Sequence, residues 1–222
     1  MTRRVLTLCC WIALILLAAG CAGTPAAAPA TPSGDAATLI QQAKTALDAN
    51  QTDQAISTLQ QVLQSEPNLE EAHFLLGNAY AKQDQFTQAE TQYLETLKLN
   101  PDHVDARSNL GVTYYREGKL DEAEKMFREA LSKQPNDAEI HYNLGGVLAA
   151  RNQLDEAITE FLKAKELNPS LPEVYLGLGS VYQLQGKKAE AVEALREYLT
   201  RSSDPTWRAK AEQMLRELGA SQ

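Results

Sequence analysis

Four prolines, Pro67, Pro101, Pro135 and Pro169, stand 34 residues apart, and the positions between them repeat as well. In that register the chain divides into segments 36–69, 70–103, 104–137, 138–171 and 172–205, with the proline at place 32 of the first four. Place 7 is Leu76, Leu110, Leu144 and Leu178 in the last four segments. Place 8 is small throughout: Ala43, Gly77, Gly111, Gly145 and Gly179. Place 20 is Ala55, Ala89, Ala123, Ala157 and Ala191, and place 24 is large, as Leu59, Tyr93, Phe127, Phe161 and Leu195. A unit this short cannot bury its own apolar face, so repetition of this kind dictates an array in which neighbours bury one another.

Small residues at places 8 and 20 allow two antiparallel helices to approach closely, and places 7 and 24 fill the space between them. Proline ends the second helix, because it lacks an amide proton and disfavours helix in the residue before it. The leucine-glycine, aromatic, alanine and proline positions together resemble the tetratricopeptide repeat, a helix-turn-helix unit of the same period. That resemblance implies an all-α, right-handed superhelical solenoid of five units over 36–205.

Departures from the family pattern are local. Place 4, tryptophan in the family, is Leu39, His73, Arg107, His141 and Tyr175, and the first segment has Ala46 and Asn50 where an aromatic and a glycine are usual. The fifth segment has Ser203 at the proline place, and Pro205 falls two residues later. Asp204-Pro205-Thr206-Trp207 reads as an N-cap followed by proline at a helix start. Trp207, Ala211, Met214, Leu215 and Leu218 then form an apolar stripe at helical spacing, which predicts a capping helix over 206–219.

Arg3 and Arg4 precede an apolar run from Val5 to Ala19, a layout that fits a signal peptide over residues 1–20. Leu17-Ala18-Ala19-Gly20-Cys21 resembles the bacterial lipoprotein signal, which implies cleavage before Cys21 and acylation, by palmitate for example, at that residue. An ordinary signal peptide or an uncleaved anchor stays open as an alternative. The other two cysteines, Cys9 and Cys10, lie in the segment removed, so the exported array has neither free thiol nor disulfide and depends on packing. Residues 21–35 hold the cysteine and a Pro/Ala-rich tether, with a reach of roughly 50 Å if extended. Ala22, rather than aspartate, after the lipid site resembles the signal for an outer membrane facing the periplasm. Without such a membrane, the anchor implies the outer face of the cytoplasmic membrane.

Loss of Arg3 and Arg4 leaves 19 basic against 29 acidic residues, a formal charge of −10. That balance argues against nucleic acid, whose phosphates are bound through lysine and arginine, and against adhesion to anionic lipid. The histidines, His73, His103 and His141, belong to no metal-binding or catalytic motif. The expectation is therefore a non-enzyme with no catalytic residue, metal, cofactor or small-molecule substrate. His73 and His141 are read as packing residues, and His103 as part of a loop between repeats.

In the family the first helix of each unit presents places 2, 5, 9, 12 and 13 to a concave groove. Carried onto this chain, the contacts are Phe74, Tyr115, Tyr142 and Leu176 as apolar groups, Asn78, Ser108, Ser180 and Gln183 as hydrogen-bonding groups, and Lys82 and Arg116 as cations. Asn109 and Asn143 hold place 6, from which asparagine bonds a peptide backbone in some members. Place 2 is Glu71, Asp105, Glu139 and Glu173. These are first-turn acids favourable to the helix dipole and, at the same time, a row of carboxylates on the groove edge. The carboxylate clamp of chaperone-binding members is not assembled, because Phe74 holds place 5 before Asn78 and acids hold place 2. A basic or apolar-aromatic partner fits better than an acidic one. The functional expectation is a lipid-anchored scaffold that holds a protein or peptide segment within a cell-envelope assembly. The alternative is an accessory subunit or regulator of an envelope enzyme such as a cell-wall hydrolase.

Overall fold

The computed structural model describes residues 31–220, so the signal peptide, Cys21 and most of the tether lie outside the described residues. The elements are α1 (Gly34–Asp48), α2 (Thr52–Ser65), α3 (Glu70–Lys82), α4 (Phe86–Leu99), α5 (Val104–Arg116), α6 (Leu120–Lys133), α7 (Ala138–Ala150), α8 (Leu154–Leu167), α9 (Pro172–Leu184), α10 (Lys188–Arg201) and α11 (Pro205–Glu217). No strand occurs among the described residues, and the fold is the all-helical solenoid expected. Each helix packs on the one before and the one after it, while α1, α3, α5, α7 and α9 also meet one another in series. That odd-numbered row forms the inner layer.

The turn within each unit has one mechanism. Place 15 lies in the left-handed region in all five segments: Asn50 (φ 59), Asp84 (φ 57), Gly118 (φ 77), Asn152 (φ 61) and Gly186 (φ 71). Each reversal lets the next amide reach back to the helix it leaves, as in Gln51 N to Ala46 O at 2.7 Å and Lys187 N to Tyr182 O at 2.9 Å. Asparagine and aspartate tolerate this conformation, so Asn50 is no defect in the first unit.

Helix pairs close on the small residues. A Cβ built on Gly77 would lie 2.7 Å from the Tyr93 ring, and one on Gly145 2.8 Å from Phe161. Phe161 is clamped from its other side by Gly177 on α9, at 2.9 Å, a glycine the 34-residue pattern does not single out. Tyr93, Phe127, Leu59 and Leu195 are buried, each removal from water stabilising by about 1.5–3 kcal/mol.

Place 4 performs a polar task. His73 Nε2 meets Pro67 O at 2.9 Å, Arg107 Nη2 donates to Pro101 O at 2.5 Å, His141 Nε2 meets Pro135 O at 3.0 Å, and Tyr175 Oη donates to Pro169 O at 2.9 Å. In each of these four units a side chain six residues on holds the carbonyl of the inter-repeat proline, which no helix satisfies. His73 and His141 are thus packing residues with a defined bond. His103 proves to be the N-cap of α5, its Nδ1 accepting from Ala106 N at 3.2 Å.

Both ends depart from the sequence boundaries. Ser33 caps α1, accepting from Ala36 N at 3.3 Å, so helix begins at Gly34 inside the expected tether. At the other end α11 runs Pro205–Glu217, starting one residue before the expected 206 and ending before 219. Successive odd helices α3 to α9 begin 34 residues apart, but Pro172 and Pro205 are 33 apart. The shortened step is confirmed by Arg208, which donates to Ser202 O at 2.7 Å and so repeats the place-4 bond six residues back. Asp204 caps α11 through Thr206 N and Trp207 N. Ala211, Met214 and Leu215 are buried on α10, whereas Trp207 is 47% exposed and does not join the buried stripe. Its ring lies beneath the Lys210 ammonium instead.

Candidate functional site

Places 2, 5, 9 and 12 recur at steps of three and four residues, so on each odd helix they form one face. Between α3 and α5 this face opens into a pocket of about 250 Å3 lined by Asn78, Ala81, Phe86, Tyr93, Asn109, Val112, Thr113 and Arg116. A smaller pocket of about 100 Å3 follows between α5 and α7, lined by Val112, Tyr115, Phe127, Tyr142, Asn143 and Gly146. Val112 belongs to both, so the two form one groove across the second, third and fourth units.

The floor of the first pocket is a fixed polar triad. Tyr93 Oη donates to Asn78 Oδ1 at 2.8 Å, and Asn109 Nδ2 donates to the same oxygen at 2.8 Å. Burial pushes the Tyr93 phenol well above its usual range and keeps it a donor. With Asn78 Oδ1 doubly engaged, Asn78 Nδ2 and Asn109 Oδ1 remain as one donor and one acceptor, the complement of a peptide unit. Arg116 closes the pocket, paired with Asp84 at 2.9 Å and lying 5.2 Å from the Phe86 ring centroid.

The second pocket is aromatic. Tyr115 is 42% exposed, and Tyr142 is half-buried with its ring 5.8 Å from that of Phe161. Burial, followed by the charge of Glu173, pushes the Tyr142 phenol up. Gly146 keeps the space open: a Cβ added there would meet nothing within 4 Å.

The structure therefore brings together Asn78, Asn109 and Arg116 in one pocket and Tyr115, Tyr142 and Asn143 in the next. Ser108 sits half-buried on α5, one turn from Val112. The remaining sequence candidates are engaged elsewhere. The Phe74 ring packs on His103 at 4.5 Å and on Tyr93 at 6.3 Å. Leu176 packs against the Tyr175–Met214 cluster near α11. Ser180 Oγ donates to Leu176 O of its own helix at 2.9 Å, and Gln183 Nε2 reaches Glu217 Oε2 at 3.5 Å. Lys82, expected as a cation of the groove, donates to Leu47 O at 3.1 Å. Sequence reasoning missed Phe86, Val112 and Gly146. Val112 and Gly146 hold place 9 and could have been found by reading that place along the whole array.

The tetratricopeptide-repeat family model matches residues 40–95, 74–138, 112–172 and 172–205, and the chain belongs to that family. Its members bind protein or peptide partners through arrays of this kind. No curated protein is significantly similar in sequence. Among solved structures, PilW, described as a widely conserved type IV pilus biogenesis factor, is 19% identical with a TM-score of 0.76, covering 85% of this chain and 88% of that one. PilF of Pseudomonas aeruginosa is 20% identical with a TM-score of 0.74, covering 83% and 82%. YrrB, described as a TPR protein with an unusual peptide-binding site, is 21% identical with a TM-score of 0.65, covering 81% and 92%. At these identities the likeness is one of fold.

Proposed function

We propose that this chain is a non-enzymatic scaffold that holds an extended segment of a partner protein in the groove running from Asn78 to Gly146. The observation that carries the reading is the continuity of two unlike pockets through Val112. One offers a preset amide donor and acceptor for backbone, and the other an aromatic recess for a side chain. Membrane attachment through a lipid on Cys21 adds a place of action, supported by the Leu17–Cys21 motif, with the array exported to the cell envelope. Pilus biogenesis, the role described for PilW, is one envelope assembly consistent with this shape.

A photo-crosslinking residue placed at Tyr115 in cells should capture a discrete partner that the same group at Leu94, exposed on α4, does not. Tyr115→Ala with Tyr142→Ala should abolish that capture while the helical signal persists. Equal capture from Leu94, or capture indifferent to the double substitution, would place the partner on another face. Cys21→Ala should move the protein out of the membrane fraction, and retention there would sink the lipid anchor.

A further inference from the structure

The recess between Tyr115 and Tyr142 has a chemistry more specific than apolar. Its walls are two phenol rings, its floor is Phe127 and Val112, and Gly146 leaves room for one side chain in about 100 Å3. Its rim is acidic. Glu139 lies one turn before Tyr142 on the same face of α7, and Glu173 and Asp105 hold the same place on α9 and α5. All three are exposed, and no ion pair or hydrogen bond engages their carboxylates among the described residues. Glu71, at the same place of α3, is by contrast neutralised by Lys44 at 2.6 Å. Across places 2, 5, 9, 12 and 13 of α5, α7 and α9 the only cation is Arg116. That guanidinium is held toward the second unit by Asp84 and Phe86. Burial, and after it the charge of Glu173, push the Tyr142 phenol up, so of these carboxylates Glu173 acts on the recess itself.

We infer that this recess is a subsite for an arginine or lysine of the groove-bound partner segment, its aliphatic stem between Tyr115 and Tyr142 and its charge at Glu139 and Glu173. An amphipathic cationic side chain is the one group that uses every part of the recess. Ring faces attract a cation, the methylenes cover Val112 and Phe127, and the head reaches unpaired carboxylates in water. An aliphatic side chain would fill the volume and leave the carboxylates unused, and an acidic one would meet repulsion. The inference rests on the groove reading of the Proposed function and adds the chemistry of one position.

The test uses the full chain in detergent and three synthetic peptides, acetylated and amidated, that differ only in a central arginine, leucine or glutamate within an otherwise identical alanine-proline sequence. The arginine peptide should bind about fivefold or more tightly than the leucine peptide, the advantage shrinking in high salt, with the glutamate peptide weakest. Glu139→Gln with Glu173→Gln should erase the arginine advantage and leave leucine binding unchanged. If arginine and leucine peptides bind alike and both are lost in Tyr142→Ala, the groove reading stands and the cationic subsite is wrong. If no peptide binds, or if binding ignores Tyr142→Ala, both fail.

Discussion

Any Cβ at position 111 falls 2.9 Å from the ring of Phe127, so Gly111 and Phe127 are two halves of one contact between α5 and α6. The ring is buried at 1% exposure, so it cannot swing out to solvent without losing its packing. Gly111→Val should therefore overpack the pair and destabilise the array by roughly 1–3 kcal/mol. Chemical denaturation followed by circular dichroism measures this, and an unshifted midpoint would remove the contact from the account of the fold.

Asn152 turns the fourth unit at φ 61. Asn152→Gly should leave stability nearly unchanged, whereas Asn152→Val should cost about 1–2 kcal/mol, because a β-branched side chain is strained in the left-handed region. The same denaturation midpoints, compared between the two variants, decide it.

His141 bridges Pro135 O at 3.0 Å and Glu160 Oε2 at 2.6 Å. His141→Leu should lose about 1 kcal/mol, the ordinary net worth of such a bond. His141→Tyr should lose much less, since Tyr175 makes the same bond to Pro169 O. Equal losses in the two variants would mean that ring volume, not the carbonyl bond, fixes place 4.

Tyr114 is pushed up to about 12 by burial and by its hydrogen bond to Glu90. The unfolded phenol titrates near 10, so the folded chain holds this proton more tightly than the unfolded one. The resulting stabilisation is complete below about pH 10 and is lost as pH rises toward 12. Tyr114→Phe should therefore flatten part of the fall in melting temperature across that window. A fall identical to wild type would show that Tyr114 contributes nothing to it.

Much of the fold could be read from residues that keep the period. Gly77, Gly111, Gly145 and Gly179 announce close helix pairs because only a missing Cβ allows them, and the prolines announce helix ends. Asn50 reads as a departure because the relevant quantity at place 15 is a positive φ, which several residues can supply. The start of α11 is legible in Asp204 and Pro205, whereas the Arg208 bond to Ser202 O that repeats place 4 has no signal in residue type. Of the groove, Tyr115 and Tyr142 were legible as large side chains on the right face. The bonds from Lys82 to Leu47 O and from Ser180 to Leu176 O were not legible, because backbone carbonyls carry no residue-type signal. Gly146 went unnoticed as a groove residue because an empty volume has no side chain to announce it.

The shortened step into α11 bears on how arrays of this family can be rebuilt. The terminator consists of a capping aspartate, a proline, an arginine that grips a carbonyl six residues back, and a three-residue apolar seam of Ala211, Met214 and Leu215. The aspartate, the proline and the arginine use backbone groups alone, whereas the seam packs on Tyr175, Leu195 and Tyr198 of the fifth unit. Grafted one repeat earlier, after residue 167, the segment 202–220 would finish a shorter rod once the side chains its seam packs on replace His141, Phe161 and Ala164. Length then becomes a quantity that a single relocated segment can set.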